Sequence, residues 1–577
     1  MTSDNIGSDP LGRVLGGWTC ARSHDSQGAL SPCSQVGASI CSKCRQVKYC
    51  SRECQAAHWK RHKPTCSSPY ASKGWLPSCD KEGRPPAYLT MDDSDTMPAS
   101  PRFGTDRNYL WGDLPACDIL NVPTNEGVSI KNQDLNLCFA ASGDPRNLIK
   151  TVNGLPLNYS GRCTLVINDH HPQVAIRNLI ILGMLLDPCG PSIELAAEAA
   201  LHALYSASLT SAQYDFVGEW MDRVSELGQR PSQPFHGEIK FNSDTSMEWL
   251  YPEQVGTLLQ RIKAASYSKA QSEADRRRVM LSSQRLDYRE LYYIHLRPRH
   301  RVGHSHWLDT GVLLPFGQPV DSFDQPNRLL YSERVEWLLV DHDNPVYAWN
   351  PLDVEKTRKE KGLPEEDSFG SLFFHIKQEL MDFITRARQF HLSVRLFSVG
   401  LNLLPQVLDS AMEGTQKLMF DRVETSNVMD TTGPSSIISS WGPRLNRKNP
   451  NAALLMYSAT YCGKVQGGSI QSQSRENFMK MVMELSSYLS GDQKGHKRGL
   501  EPPSQQSITR YIEAFFDTRP AFMEYLRQES VPKACGEAKV RQREIPRILP
   551  VRIGVGLKDY DRPKIGITPE EFYFVGQ

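Results

Sequence analysis

A chain of 577 residues is several times the length of a typical domain, which predicts a small module beside at least one large globular body. Its 66 basic and 65 acidic residues leave a net charge of +1, and this excludes a global field for holding nucleic acid or an anionic membrane. The longest apolar run, Leu179 to Leu186, has eight residues against the roughly 20 that span a bilayer, and no apolar stretch follows a basic start, so the expectation is a soluble intracellular protein, cytoplasmic or nuclear.

Residues 1–19 are expected to be a disordered tail. The next feature is a concentration of cysteine: seven of the 14 (Cys20, Cys33, Cys41, Cys44, Cys50, Cys54 and Cys66) fall within the first 66 residues. With histidines interleaved at ligand spacing and no secretory leader, this cluster predicts zinc instead of a disulfide framework. The other cysteines are scattered and are assigned no chemistry.

Cys41-x2-Cys44 forms a knuckle that brings two thiolates to one metal, at about 2.3 Å each. Ser51 is placed to cap a helix on which Cys54 stands four residues after Cys50 and His62 four before Cys66. At about 1.5 Å per residue, the step from Cys54 to His62 is about 12 Å, too long for one tetrahedral site, so two zinc ions are required. Three pairs supply six of the eight ligands that two closed sites need, and Cys33 is a seventh. Leu30 stands where its knuckle partner would be, so the eighth ligand is Cys20, with His24 and His58 as alternatives. A closed shell implies a structural metal. Between Lys43 and Lys63 seven Lys/Arg accompany one Glu, which suggests either a nucleic-acid patch or, as preferred here, cations offsetting thiolate charge.

The segment CSKCRQVKYCSRECQAAHWKRHKPTC, residues 41–66, resembles the MYND finger, whose pattern ends C-x2-C-x5-C-x3-C-x7-H-x3-C. The first cysteine of that pattern is displaced here to Cys20, 12 residues before Cys33. The resemblance implies interleaved ligation, with Cys20, Cys33, Cys50 and Cys54 on one zinc and Cys41, Cys44, His62 and Cys66 on the other. It also implies that a shallow groove on the helix, at Gln55 and Trp59, holds proline-rich peptides of a protein partner. Packing of Trp59 against the knuckles is an equal alternative.

Residues 67–104, rich in Pro, Ser, Gly and Asp, are expected to be a linker. Beyond it, Leu135 to Ala141 is predicted as a buried strand, Ser142-Gly143-Asp144 as a turn, and the next stretch as a helix with Pro145 in its first position. A second strand, Cys163 to Ile167, ends in Asn168-Asp169 before a helix at PQVAIRNLIILGMLL. An acidic residue at the second strand tip is the layout of dinucleotide and S-adenosylmethionine sites, but the first turn has one glycine where the fingerprint has three. Gly143 is therefore expected to supply a positive φ, and Asp144 and Asp169 to cap helices.

Residues 108–307 resemble the N-terminal domain of dynein axonemal assembly factor 3, which also occurs in fungal MYND-finger proteins. This implies a methyltransferase-like α/β body with no known reaction, spanning residues 105–310, with a C-terminal α/β region at 311–577 packed on it. Further on, helices are predicted at 373–390, 475–489 and 508–527, strands at 336–341 and 453–461, and a surface segment at 491–507. Arg297, Arg299, His300, Arg301, His304 and His306 are expected to form a basic, His-rich loop, solvated or facing an anion or an acidic partner. The predicted fold is thus a two-zinc finger followed by an α/β, Rossmann- or methyltransferase-like body. The predicted function is an interaction adaptor without catalytic residues. The alternative is an S-adenosylmethionine-dependent transferase targeted by its finger; the N-H-S-C type core of SET-domain enzymes is absent from the sequence.

Overall fold

The computed structural model describes residues 18–24, 28–89, 110–112, 114–228, 233–411, 417–469, 474–490, 519–543 and 547–548. The expected tail up to residue 17 and the surface segment at 491–507 lie outside them. The chain opens with antiparallel strands β1 (Ser39–Ile40) and β2 (Lys48–Tyr49), then helices α1 (Arg52–Cys66) and α2 (Ser78–Glu82). There follow β3 (Leu135–Phe139), α3 (Arg146–Gly154), β4 (Arg162–Asn168), α4 (Pro172–Leu186), α5 (Ile193–Tyr205), β5 (Ser208–Leu209) and α6 (Ser211–Gly228). Next come β6 (Phe235–Lys240), β7 (Ser246–Tyr251), α7 (Glu253–Ala264), α8 (Lys269–Met280), α9 (Leu286–Ile294), α10 (Pro298–Thr310) and β8 (Gln325–Pro326). Further along come α11 (Pro351–Glu360), α12 (Ser368–Ala387), β9 (His391–Phe397), α13 (Leu404–Ala411), β10 (Arg422–Glu424) and β11 (Ala453–Leu455).

Two compact units interleave along the chain. The first takes residues up to Ala116, Gly143–Asn153 and His171–Ser398; the second takes Cys117–Ser142, Gly154–His170 and the chain from Val399 onward. Residues on either side of position 310 therefore belong to one unit.

In the first unit α4 is buried from Gln173 to Leu186, because its sequence is apolar on every side, the pattern of a helix that runs through a core. Helices α5 and α12 pack on each other and on α4. Arg177 of α4 is fully buried and donates to the carbonyls of Leu110 and Leu204, which satisfies a charge that otherwise has no place there. Strands β6 and β7 form an antiparallel hairpin, and β7 runs parallel to β9, so the strands of this unit are mixed. The second unit holds four parallel strands in the order β11-β10-β3-β4. Inside it Asp421 accepts from Asn136 N (2.8 Å) and from the Asn446 and Asn449 amides (2.9 Å each).

Two expectations are corrected here. The apolar run at 336–341 is not a strand. Leu338, Leu339 and Val340 are buried, but a turn with Val335 at φ 66° folds the backbone back, and the segment makes isolated bridges in place of a ladder, one of them joining Trp337 to Tyr331. The stretch expected as a linker is folded as far as residue 89. Ser78 donates through N and Oγ to Glu290 (2.5 and 3.0 Å), Arg84 grips Asp287 with two bonds (2.6 and 2.8 Å), and Ala87 N donates to the same carboxylate (2.7 Å). These partners lie about two hundred positions away in sequence, beyond the reach of a local reading. Residues 90–109 lie outside the described set.

Lys377 of α12 and Glu198 of α5 pair at 2.5 Å with side chains only 6% exposed. Removing one partner leaves an uncompensated buried charge. Lys377→Met is expected to cost about 3–5 kcal/mol in urea unfolding, and adding Glu198→Leu is expected to restore most of that loss.

Candidate metal centre

The finger is built by short-range geometry that turns each ligand inward. After Cys41 the chain makes a tight turn: Arg45 N donates to Cys41 O (2.9 Å), Cys41 N to Val47 O (3.0 Å), and Gln46 N points at Cys44 Sγ (3.4 Å). Arg45 holds a positive φ of 59° to close it. Ser51 caps α1 by accepting from Cys54 N (3.3 Å), and this fixes Cys50 before the first turn and Cys54 within it. His62 and Cys66 follow one turn apart on the buried side of the same helix.

The residues between Cys20 and Cys33 fold back on themselves. Cys33 N donates to Arg22 O (2.8 Å), Ser31 N to Ser23 O (2.8 Å), and His24 bridges Leu30. Cys20 N in turn donates to Gln35 O (2.9 Å), and Ala21 N to Lys48 O (2.8 Å). The described arms of the insertion, residues 21–24 and 28–32, thus run back together, so the extra length does not separate Cys20 from Cys33.

Two donor sets result: Cys20, Cys33, Cys50 and Cys54, and Cys41, Cys44, His62 and Cys66, each with its ligand atoms within 4.8 Å of one another. A tetrahedral zinc with bonds of about 2.3 Å to sulfur places its ligands about 3.8 Å apart. The separations Cys33–Cys50 (3.6 Å), Cys50–Cys54 (3.4 Å), Cys41–Cys66 (3.9 Å) and Cys44 Sγ–His62 Nε2 (3.4 Å) match that edge and are far too long for disulfides. The clusters fit two zinc ions. Of the alternatives for the eighth ligand, His24 Nδ1 meets Ser23 Oγ at 2.8 Å and His58 Nδ1 meets the Tyr49 hydroxyl at 3.0 Å, so both rings are engaged outside the clusters.

The electrostatics suit a closed thiolate site. Burial holds His62 down at about 4, so its imidazole is neutral, the form that ligates. Burial pushes the Cys44 thiol up to about 12, so a proton must leave when metal enters and binding consumes free energy for that step. Seven thiolates against two Zn²⁺ leave a formal charge of −3. Arg22 beside Cys33 and Cys54, and Arg299 near Cys66, offset it. Four protein ligands per ion leave no position for water or substrate, which is the chemistry of a structural metal.

Gln55 and Trp59 lie on α1 outside both clusters. The Trp59 ring rests edge-on against that of His62 (centroids 6.0 Å apart) and remains 41% exposed.

The basic, His-rich segment is corrected by the structure: it is α10, and it faces the finger. Arg299 donates to Cys66 O (3.2 Å) and Lys43 O (3.1 Å), and Arg301 to Tyr70 O (2.9 Å) and Ser72 O (2.8 Å). In return the Gln46 amide donates to Arg299 O (3.2 Å) and Glu366 O (3.1 Å). Val302 and Phe316 join Ala21, Val47 and Tyr49 of the finger in one apolar cluster. At Gly317 (φ 85°) a Cβ would lie 2.5 Å from Val47, so the loop after α10 can approach only as glycine. His300 Nε2 donates to Glu365 O (2.9 Å), His304 meets the Tyr293 hydroxyl (3.3 Å) and His306 packs on Phe316; burial pushes His300 to about 4 and His304 to about 3. These histidines are neutral packing groups. Pro298 in the first turn and Gly311 at φ 68° after the last one mark a helix, a signal present in the sequence.

The turn whose layout resembles a cofactor site has local roles, as expected for Gly143 and Asp144. Gly143 adopts φ 55°, and Asp144 accepts from Arg146 N (3.1 Å) at the start of α3. The N-cap position of α4 is His171, whose side chain makes no cap bond; Asp169 stands two residues earlier, with its carboxylate 3.7 Å from the His170 ring.

Against models of known families, residues 20–66 match the MYND finger and residues 110–209 match a domain of unknown function (DUF4470). No solved structure matches the chain. MYND fingers mediate protein–protein interaction, and among the described residues no helix is long and apolar enough to cross a membrane.

Elemental analysis of the full chain should give two zinc ions per molecule. Cys20→Ser is expected to reduce that to one, whereas His24→Ala keeps both. Two zincs in Cys20→Ser would move the eighth ligand elsewhere.

Proposed function

We propose that the chain is a non-enzymatic adaptor in which the zinc-closed finger captures a short, proline-rich segment of a partner protein on the groove at Gln55 and Trp59. The observation that carries this reading is Trp59. A large aromatic side chain left 41% exposed on a helix fixed by metal ligands, with its ring resting on the ligand His62, is a rigid, half-desolvated anchor. The zinc ions contribute by holding α1 in place, so the groove is formed before the peptide arrives and little ordering cost falls on binding. The remainder of the first unit presents the finger in a fixed orientation through α10.

The adaptor reading is preferred to a transferase because the features that suggested a cofactor turn have structural duties of their own: Gly143 relieves a positive φ and Asp144 caps α3.

Titration of the zinc-loaded chain with a fluorescent proline-rich peptide tests the proposal. Trp59→Ala is expected to weaken binding at least tenfold, about 1.4 kcal/mol, while retaining two zincs. Unchanged affinity in that variant would remove the groove from the function.

A further inference from the structure

The orientation of the finger leaves part of its charge uncommitted. Most of its cations are occupied: Arg45 pairs with Glu366 (2.9 Å), Arg61 with Asp321 (3.5 Å), Lys43 donates to the Ser67 hydroxyl (2.8 Å), and Lys48 sits 4.1 Å over the Trp18 ring. Arg52, Lys60 and Lys63 are exposed and form no ion pair among the described residues.

Their positions on α1 are not scattered. Arg52, Ala56, Trp59 and Lys63 follow at steps of four, three and four residues, which on a helix of about 3.6 residues per turn form one exposed stripe, with Gln55 and Lys60 on its two flanks. Glu53, the one acidic residue of the helix, is rotated from Arg52 by about 100°, lies within the field of its charge, and stands two turns before Lys60 on the flank of the stripe. Trp59 therefore stands between two cations, about 10 Å from Arg52 and about 6 Å from Lys63 along the axis.

Resting on the reading that this helix face binds a peptide, we infer that the partner segment is acidic: an apolar anchor on Trp59 flanked on both sides by Asp or Glu. In an extended peptide that rises about 3.3 Å per residue, carboxylates three residues from the anchor on one side and two on the other meet Arg52 and Lys63. Nucleic acid is the less favoured occupant. The stripe offers two cations, and its flank a third, within a helix of 15 residues, while the neighbouring arginines that would extend it are already bound to Glu366 and Asp321.

The test uses the zinc-loaded full chain and three labelled peptides with one proline-rich core carrying an apolar anchor, flanked by Glu, Gln or Lys. The Glu-flanked peptide is expected to bind about tenfold more tightly than the Gln-flanked one at about 50 mM salt, with most of the difference lost at about 500 mM. The double variant Arg52→Gln, Lys63→Gln is expected to erase that difference and leave the affinity for the Gln-flanked peptide unchanged, a control that separates charge from folding. Equal affinity for all three peptides would overturn the acidic preference and leave the groove standing. Failure of every peptide to bind would overturn both. A single-stranded oligonucleotide that binds more tightly than the Glu-flanked peptide, and is lost in the double variant, would assign the stripe to nucleic acid and overturn the inference.

Discussion

Coordination of two metal ions by eight side chains is the constraint on which the N-terminal part of this protein depends. A segment of fewer than fifty residues buries too little apolar surface to fold alone, and a structural zinc supplies on the order of 10 kcal/mol. The consequence reaches beyond the finger. The carbonyls that Arg299 and Arg301 bind belong to Lys43 in the knuckle, Cys66 at the end of α1, and Tyr70 and Ser72 just after it. Each is placed by a ligand or by chain leaving one. Gln46, which returns hydrogen bonds to the body, is two residues from Cys44 and fully buried. The seat on α10 is therefore shaped for the metal-closed conformation.

The same architecture divides the finger into two faces with different tasks. One, formed by the knuckle and the loop around Val47, is spent on the body: Phe316, Gly317 and Val302 cover it. The strap that follows is pinned by Tyr70 and Trp75 against Tyr293 and by Arg84 against Asp287. The other face, along α1 with Trp59, stays open to solvent. A finger fixed in this way holds its open face in one orientation on the first unit instead of moving on a tether.

The metal site was legible in the sequence because its information is local. Knuckles, a capped helix and i, i+4 pairs are short-range patterns, and Cys41, Cys44, Cys50, Cys54, His62 and Cys66 could be paired from spacing. Cys20 was a choice among three residues, since only the paired arms of the insertion bring it back to Cys33. The strands at 135–139 and 162–168 and the helix at 172–186 were legible for the same reason, each being a long apolar run between turn residues. What escaped depended on distant partners. Segment 297–310 is rich in charge and was expected to be a solvated loop; Arg299 and Arg301 are held by carbonyls of the finger and of the strap after it, more than 200 residues earlier. The strap at 67–89 has the composition of a linker, and its anchors Asp287 and Glu290 carry no mark in the sequence. Conversely, the apolar run at 336–341 suggested a strand, but burial without a ladder partner made it irregular core.

Amide hydrogen exchange on the full chain, with and without a zinc chelator, measures most directly whether the finger and its seat are one folding unit. If they are, removing zinc deprotects the amides of α9, α10 and residues 67–89 together with those of the finger, because local stability in this region is shared. Exchange confined to residues 18–66, with α10 as protected as before, would show that the body holds its shape without the finger and would contradict the coupling described above.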